Sequence, residues 1–358
     1  MRRLVLATTV QSPGGLWRHV SDLALGMAER GWDVHLCLPR QAAELRALAT
    51  KAGLALDTGR EADPPAVWHL HLGDTFDLRA TRELLRRSVV QRSAARVLTE
   101  HLPRTNASDT SLLPGRRRAG ASAAKTSLKR LQYRCVHRVI AVSVGSGRFL
   151  TARYGTPPEL ISVVENGVLV DASPVSAPPG GSLHVVSFGS LILQKGHDVL
   201  IRAAGRARQD WSVTIVGEGP HRHELERLAR SVCGGRVSMV GWRQDVRPFL
   251  QSAHVVCVPS RWEASSYAAL EAMQVGRAVV GTRVDGLEDI IVEGETGTLV
   301  PPDDPGELAA NLDALAADPA RVARMGGAAR RRVETCFGLG RMIDGVEQAY
   351  ERALACRR

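Results

Sequence analysis

The sequence predicts an α/β protein with two Rossmann-like, doubly wound parallel-sheet domains, and two observations lead to that prediction. Apolar strand-like runs alternate with amphipathic helical runs, and this alternation begins twice along the chain. Such alternation is typical of parallel sheets that carry helices on both faces. The chain also has 358 residues, which exceeds one ordinary hydrophobic core and suffices for two.

The expected domain boundary is a segment rich in Pro, Gly and Ser, residues 171–182, which shows no periodicity and is typical of a linker. We assign 1–172 to a first domain and 183–335 to a second. The final segment, 336–358, is helical in pattern and is expected to pack back on the first domain. Two such sheets leave an inter-domain cleft at the carboxyl ends of their strands, where sheets of this kind bind ligands.

In the first domain, buried parallel strands are expected as nearly continuous apolar runs. A turn at Ser12 to Gly15 leads into an amphipathic helix that stops at Gly31. In chain order the expected elements are the strand RRLVLATT, the helix LWRHVSDLALGMAER, and the strands WDVHLCLP, AVWHLHLG, ARVLTEH and HRVIAVS, and the half ends with ISVVENGV.

The second domain repeats the alternation, with a helix from about His197 and a short one near Val246. Its expected strands are LHVVSFG, SVTIVG, VSMVG, VVCVPS and AVVGT, with the helix HRHELERLARS between the second and third. Neither half contains GxGxxG or GxxxxGK[ST]. A nicotinamide site or a P-loop is therefore poorly supported.

Composition restricts the partners. The formal net charge of +10 favours an anionic ligand or surface. The six cysteines are isolated, which favours reduced thiols over disulfides or zinc ligands.

The opening MRRLVLATTV is expected to be a buried strand because no cleavage-site pattern follows it. No apolar run approaches the roughly 18 residues of a membrane span. We therefore expect a soluble cytoplasmic protein.

Basic residues crowd the stretch 104–134, where a solvated face and a partner-binding surface are both open interpretations. A single-stranded nucleic-acid site usually adds aromatic side chains for base stacking, and only Tyr133 is near, so nucleic acid is not expected. The basic residues are Arg104, Arg116, Arg117, Arg118, Lys125, Lys129, Arg130 and Arg134.

The stretch RWEASSYAALEAMQVG, residues 261–276, places Glu263 and Glu271 eight residues apart around the start of a helix. Ser265 or Ser266 is a suitable N-cap for a helix over Tyr267 to Gln274. A helix start favours a phosphate, and the carboxylates could accept hydrogen bonds from the hydroxyls of a ribose and a sugar. From the spacing alone, a solvated helix face with an exposed loop is an equally good interpretation.

The wider sequence resembles the retaining GT-B glycosyltransferases of the GT4 type. Glu263 and Glu271 match the family's E-x7-E pattern, and five segments in the family's order cover nearly the whole chain. Those segments are SPGGLWRHVSDLALGMAERGWDVHL, VIAVSVGSGRFLTARYGTPPELISVVENGV, FGSLILQKGHDVLIRAA, SVTIVGEGP with VSMVGW, and VPSRWEASSYAALEAMQVGRAVVGTRVDGLEDIIVEGETGTLVPPDD.

The resemblance implies a GT-B fold and transfer of a sugar from a nucleotide diphosphate, bound mainly by the second domain, to a hydroxyl held mainly by the first. Glu271 is then expected at the ribose, Glu263 at the donor sugar and Lys195 at the departing diphosphate, while His101 lies beside the transferring sugar. The expected catalytic residues are His101, Lys195 and Glu263. The implied mechanism retains the anomeric configuration: the acceptor approaches from the face that the diphosphate leaves.

The same resemblance extends to the remaining site residues. Donor-binding positions are Gly14, Gly15, Gly189, Ser190, Lys195, Gly217, Trp242, Arg243, Glu263, Ser265, Ser266, Tyr267 and Glu271, and acceptor-binding positions are Trp17, His71, His101 and Arg104. No cofactor is expected beyond the nucleotide-diphosphate sugar as co-substrate, with UDP favoured. His69 and His71 share one strand face, but the sequence shows no third ligand, so no metal is expected.

Two departures from the family pattern affect the donor site. Ser190 stands where many relatives carry an arginine that partners the lysine, and Arg243 or Arg261 is a candidate to replace it. Ser265-Ser266-Tyr267 replaces a common Phe-Gly, so the identity of the donor sugar does not transfer from relatives.

The acceptor is the least determined part. We favour a small soluble metabolite or natural product, because the basic stretch lacks an anchoring cluster of large apolar residues. The composition, rich in Ala and Arg, resembles that of a high-GC actinobacterial genome, which keeps antibiotic biosynthesis open. The alternative is a lipid-linked or cell-envelope glycan at the inner membrane face, with peripheral contact to anionic lipid. A nucleotide-sugar epimerase or a weakly catalytic binding protein is more remote. The oligomeric state is left open.

Overall fold

The chain folds into two compact units, seen in a computed structural model that describes residues 2–10, 14–57, 65–73, 78–90, 93–101, 119–170 and 180–356. The first unit comprises Met1–Asn166 with Leu339–Arg358, and the second comprises Gly167–Gly338. The boundary between the two units therefore lies a few residues before residue 172, where the first domain was predicted to end. It does so because Val168, a buried residue of the second unit's core, pairs with Gly338 in a β-bridge.

The first unit is built on a seven-stranded parallel sheet, in the order β3-β2-β1-β4-β5-β6-β7. Its inner strands are buried on both faces, as expected for a parallel sheet covered by helices. The strands are β1 Arg3–Thr8, β2 Asp33–Cys37, β3 Ala55–Leu56, β4 Val67–Leu72, β5 Ala95–Glu100, β6 Arg138–Ala141 and β7 Ile161–Val163.

Five helices follow these strands: α1 Gly15–Glu29, α2 Ala43–Lys51, α3 Leu78–Val90, α4 Ala119–Arg134 and α5 Val144–Tyr154. A short 3-10 helix spans Pro158–Leu160. In α1 the buried residues Val20, Leu23, Ala24 and Met27 recur at three- and four-residue spacing, which is the pattern of one helix face against a core.

The second unit has a six-stranded parallel sheet, in the order β10-β9-β8-β11-β12-β13. Its strands are β8 Leu183–Phe188, β9 Trp211–Val216, β10 Val237–Gly241, β11 Val255–Val258, β12 Ala278–Thr282 and β13 Gly297–Val300. Its helices are α6 His197–Ala204, α7 Arg222–Val232, α8 Arg247–Ser252, α9 Tyr267–Gln274, α10 Asp285–Glu288, α11 Pro305–Ala316 and α12 Pro319–Cys336, with a 3-10 turn at Leu193–Lys195.

The last helix, α13, spans Leu339–Ala355 and belongs to the first unit. Its apolar face contributes Ile343, Val346 and Tyr350 to the same core as β1 and α1. Gly26 of α1 makes this packing close, because a Cβ there would lie 2.1 Å from Ile343 Cδ1.

Each sheet has one point where the strand order reverses direction, between β1 and β4 in the first sheet and between β8 and β11 in the second. The connections that follow those two strands therefore lead to opposite sides of the sheet. Doubly wound sheets bind ligands at this point.

Candidate functional site

The second unit brings two of the expected site residues together at its reversal point. Lys195 ends the 3-10 turn that follows β8, and Glu263 lies in the loop that follows β11, the strand adjacent to β8. Lys195 Nζ donates to Glu263 Oε1. The two residues are 68 positions apart in sequence, so only the parallel-sheet topology makes them neighbours.

The Glu263 carboxylate is buried and held from a second direction. Ser260 Oγ donates to the same Oε1 over 2.9 Å. Thr282, at the end of β12, donates its hydroxyl to the carbonyl of Ser260. A buried carboxylate needs such partners because its desolvation is costly. Lys195, by contrast, keeps about a quarter of its side chain exposed, at 27%, and can use its other hydrogens for an anion.

Helix α9 begins directly after this pair. Ser266 is its N-cap, with extended backbone, and its Oγ accepts from Ala269 N over 3.3 Å. Tyr267 is the first helical residue, as the sequence predicted, and Gln274 is the last. The positive end of the helix dipole therefore lies three residues after Glu263, where a phosphate would be stabilised. Glu271, half-buried, follows one turn into the helix.

The turn that carries Lys195 is fixed against the loop before Glu263. Gly196 adopts a positive φ of 64°, and a Cβ there would lie 2.0 Å from the Pro259 carbonyl oxygen. Gln194 Nε2 donates to Trp262 O over 3.0 Å. Glycine is required at 196 both for the backbone angle and for the close approach.

Arg261, a candidate to replace the arginine absent at Ser190, completes this arrangement through bonds within the fold. Its guanidinium makes a bidentate ion pair with Asp198 at 2.8 Å, a second pair with Asp303 at 2.6 Å, and a hydrogen bond to Leu193 O. The bonds to Leu193 and Asp198 hold the turn and the start of α6, and the bond to Asp303 reaches the loop after β13. Of the two candidates from the sequence, Arg243 is exposed at the end of β10 and Arg261 is committed to the fold.

The remaining donor-site candidates of the second unit lie at the carboxyl ends of β8, β9 and β10. Gly217 packs so closely on Gly189 that a Cβ would lie 1.9 Å from the Gly189 carbonyl oxygen. Ser190 is exposed, as is Trp242 at 60%. An exposed indole next to a sheet edge is available for stacking on a planar base.

His197, the first residue of α6, lies beside Lys195 and is buried. Its Nδ1 is 3.3 Å from Ser187 Oγ. Burial, together with the Lys195 charge, lowers the pKa of His197 to about 4. The folded state therefore keeps this imidazole neutral at pH values where the unfolded chain protonates it.

We expect this difference to destabilise the protein as the pH falls. Above pH 6.5 both states are neutral, and between 6.5 and about 4 only the unfolded state gains the proton, so the free energy of unfolding falls. The loss attributable to His197 is on the order of 3 kcal/mol across that window. Urea unfolding of the wild type and of His197→Gln at pH values from 7 to 4 gives the free energy of unfolding as a function of pH. The slope of that pH dependence should be smaller in His197→Gln. His223→Gln, at an exposed site, is the control. Equal slopes in wild type and His197→Gln would contradict the assignment.

In the first unit, the expected acceptor residues His71 and His101 lie at the carboxyl ends of the adjacent strands β4 and β5. His71 is opposite Thr8 of β1, at the reversal point of this sheet. His71 Nδ1 is 3.2 Å from His101 Nε2. His19, on α1, was not among the residues predicted from the sequence, and its ring centroid is 4.6 Å from that of His101.

Of the other first-unit candidates, Trp17 is placed differently from expectation. Trp17 is only 7% exposed and packs in the core with α13, so its indole has little surface for an acceptor. Gly14 and Gly15 are exposed at the start of α1, and Gly14 O accepts from Arg18 N over 2.9 Å. Arg104 lies outside the described residues.

The basic stretch is not uniformly a solvated face. Lys129, on α4, is fully buried and pairs with the buried Glu100 at the end of β5. Tyr133 OH donates to the same Glu100 oxygen over 3.1 Å. Arg130 Nε donates to Tyr154 O. These three side chains of α4 serve the fold, and the residues from 102 to 118 lie outside the described ranges.

Two family profiles match this chain. One, described as Glycosyltransferase Family 4, matches residues 13–171, and one described as Glycosyl transferases group 1 matches residues 182–318. The chain belongs to the GT4-type glycosyltransferases. The fold is confirmed by solved structures, among them a sucrose-phosphate synthase from Thermosynechococcus elongatus, with a TM-score of 0.78 at 20% identity over 99% of this chain and 100% of that one.

Curated relatives of this GT4-type chain have several activities. A lipopolysaccharide core biosynthesis glycosyltransferase from Rhizobium meliloti is 30% identical over 53% of this chain and 54% of its own length. A D-inositol 3-phosphate glycosyltransferase from Arthrobacter is 30% identical over 61% and 56%. The chain thus spans about half the length of the curated relatives it matches.

A further solved structure is the Anabaena protein HepE in complex with UDP-glucose, with a TM-score of 0.77 at 17% identity over 97% of this chain and 99% of that one. Within the described parts of this GT4-type chain, no helix has the length and apolar character required to cross a bilayer.

Proposed function

We propose that this chain is a retaining glycosyltransferase that moves a sugar from a nucleotide diphosphate to a hydroxyl acceptor. One observation supports it above the others: Lys195 and Glu263, both expected from the resemblance, meet at the start of α9. A cation, a buried carboxylate and a helix N-terminus at a sheet reversal point suit a sugar linked to a diphosphate.

In this proposal each group has one task. The start of α9 and Lys195 Nζ bind the diphosphate, and Lys195 stabilises the charge that develops as it leaves. Glu263 accepts hydrogen bonds from the sugar hydroxyls, and Glu271 from the ribose diol. The acceptor hydroxyl attacks from the face that the diphosphate leaves and gives its proton to the departing phosphate. Diphosphate neutralisation then needs no metal ion.

UDP is the favoured nucleotide, because the Anabaena protein of the same fold has been solved with UDP-glucose. We propose a small soluble metabolite or natural product as the acceptor. The inositol-phosphate relative supports this class. The lipopolysaccharide-core relative favours a second candidate, an envelope glycan acceptor at the inner membrane face. Transfer assays distinguish these two acceptor classes: transfer to water-soluble acceptors supports the first, and transfer only to lipid-linked acceptors supports the second.

Calorimetric titration with UDP, GDP, ADP and dTDP tests the donor site directly. We expect one nucleotide to bind clearly more tightly than the others. Glu271→Ala should weaken that binding about 10- to 100-fold, because a hydrogen bond to a charged group is worth about 1.5–3 kcal/mol. Glu224→Ala, on the exposed start of α7, is the matched control and should bind like the wild type. If none of the four nucleotides binds, the donor site has to be abandoned.

A further inference from the structure

The first unit contains a cluster of three histidines that converge from separate elements. His19 comes from α1, His71 from the end of β4, and His101 directly follows β5. One ring nitrogen from each can be chosen such that all three lie within 4.8 Å of one another. Buried side-chain nitrogens usually have a hydrogen-bond partner, so three converging imidazoles call for an explanation.

The spacing of one pair of nitrogens in this cluster matches a metal centre. Zinc binds histidine nitrogen at about 2.0–2.1 Å with tetrahedral angles, which places two ligand nitrogens about 3.3 Å apart. His71 Nδ1 and His101 Nε2 are 3.2 Å apart. The same distance also fits one N–H···N hydrogen bond between two neutral rings, and that interpretation is the alternative to be tested.

The protonation of the rings also suits a ligand role. His19 Nδ1 is 3.0 Å from Asn166 Oδ1. An amide oxygen only accepts, so Nδ1 carries the proton and Nε2 of the neutral ring presents a lone pair. Neutral imidazole is the form that binds metals.

The surroundings hold the rings in place, as supporting residues do in metal sites. Asn166 orients His19. His69 lies against His71 with ring centroids 4.0 Å apart. His69 is itself fixed by Tyr350 OH at 2.7 Å and Thr99 Oγ1 at 2.6 Å.

We propose that His19, His71 and His101 form a mononuclear site for a divalent transition metal of the zinc class. Three neutral imidazoles leave one position of a tetrahedral ion for water or for an oxygen of a bound molecule. The site lies in the first unit and has no part in neutralising the diphosphate on Lys195. It shares His71 and His101 with the residues expected at the acceptor, but metal titration measures it separately from glycosyl transfer.

The test uses the full chain, treated with a chelator and dialysed, then titrated with Zn²⁺ by calorimetry and with Co²⁺ by visible absorption. We expect one ion per chain and the intense visible bands of tetrahedral Co²⁺. A thiolate charge-transfer band should be absent, since the six free cysteines are not ligands. His71→Gln and His101→Gln should each weaken Zn²⁺ binding by more than the ~10- to 100-fold typical of losing a supporting residue, and Asn166→Ala by about that amount.

His223→Gln, at an exposed histidine, should leave Zn²⁺ binding unchanged. Less than one Zn²⁺ per wild-type chain, or a Co²⁺ spectrum without tetrahedral bands, would overturn the site whether or not the variants fold. Zn²⁺ binding that survives His71→Gln in a folded chain would overturn it as well, and would indicate the direct hydrogen bond between His71 and His101.

Discussion

Replacing Lys195 with alanine is expected to lower kcat about 100- to 1,000-fold, the effect of removing one group that stabilises developing negative charge. The affinity for the nucleotide diphosphate should fall much less, because the start of α9 still binds the phosphates. Steady-state transfer kinetics together with calorimetry on the same preparation measure both quantities. Equal losses in kcat and affinity would rule out a role specific to the transition state.

The contact between Lys195 and Glu263 requires a control, since alanine at 195 also removes a partner of the buried carboxylate. Ser260→Ala removes the other partner of Glu263 and leaves Lys195 in place. A much smaller fall in kcat for Ser260→Ala would assign the larger effect to the lysine charge itself. Lys51→Ala, at an exposed lysine on α2, should match the wild type.

The second large effect is on stability. Lys129→Ala should lower the free energy of unfolding by about 3–5 kcal/mol, because it leaves the buried Glu100 carboxylate without its counter-charge. Arg134→Ala, exposed on the same helix, should change it by less than about 0.5 kcal/mol. Urea unfolding at pH 7 measures both.

A double variant distinguishes the effect of losing the ion pair from the effect of disturbed packing on α4. Glu100→Gln combined with Lys129→Met removes both charges, fills similar volume and keeps an acceptor for Tyr133 OH. We expect it to recover most of the lost stability, as replacing a buried ion pair by uncharged groups often does. A double variant as unstable as Lys129→Ala would mean that the packing of Lys129, and not its charge, is what matters.

Local signals in the sequence were enough to predict where helix α9 begins at the donor site. The serine before Tyr267 and the turn after VVCVPS were sufficient to predict α9, because N-capping and strand ends depend on a few adjacent residues. The contact of Lys195 with Glu263 was accessible only through the family resemblance. It arises from the pairing of β8 with β11, which no local pattern encodes.

Contacts that depend on strand pairing also explain why several first-unit residues were not predicted from the sequence. His69 and His71 suggested a ligand pair, but His19 lies 52 positions before His71 and reaches it only through the pairing of β1 with β4. Lys129 has the sequence context of a solvated basic run, and its partner Glu100 precedes it by 29 positions. Trp17 follows a segment that resembles the family's Gly-Gly loop, yet it belongs to the core cluster that also contains residues of α13.

That final helix also constrains the order of assembly during synthesis. The second unit is a continuous insertion, Gly167–Gly338, between two parts of the first. The ribosome therefore completes the second unit before it delivers Tyr350, whose hydroxyl binds His69 at 2.7 Å, and the apolar face that closes the core over α1. The unit whose synthesis begins first is the last whose core can be completed.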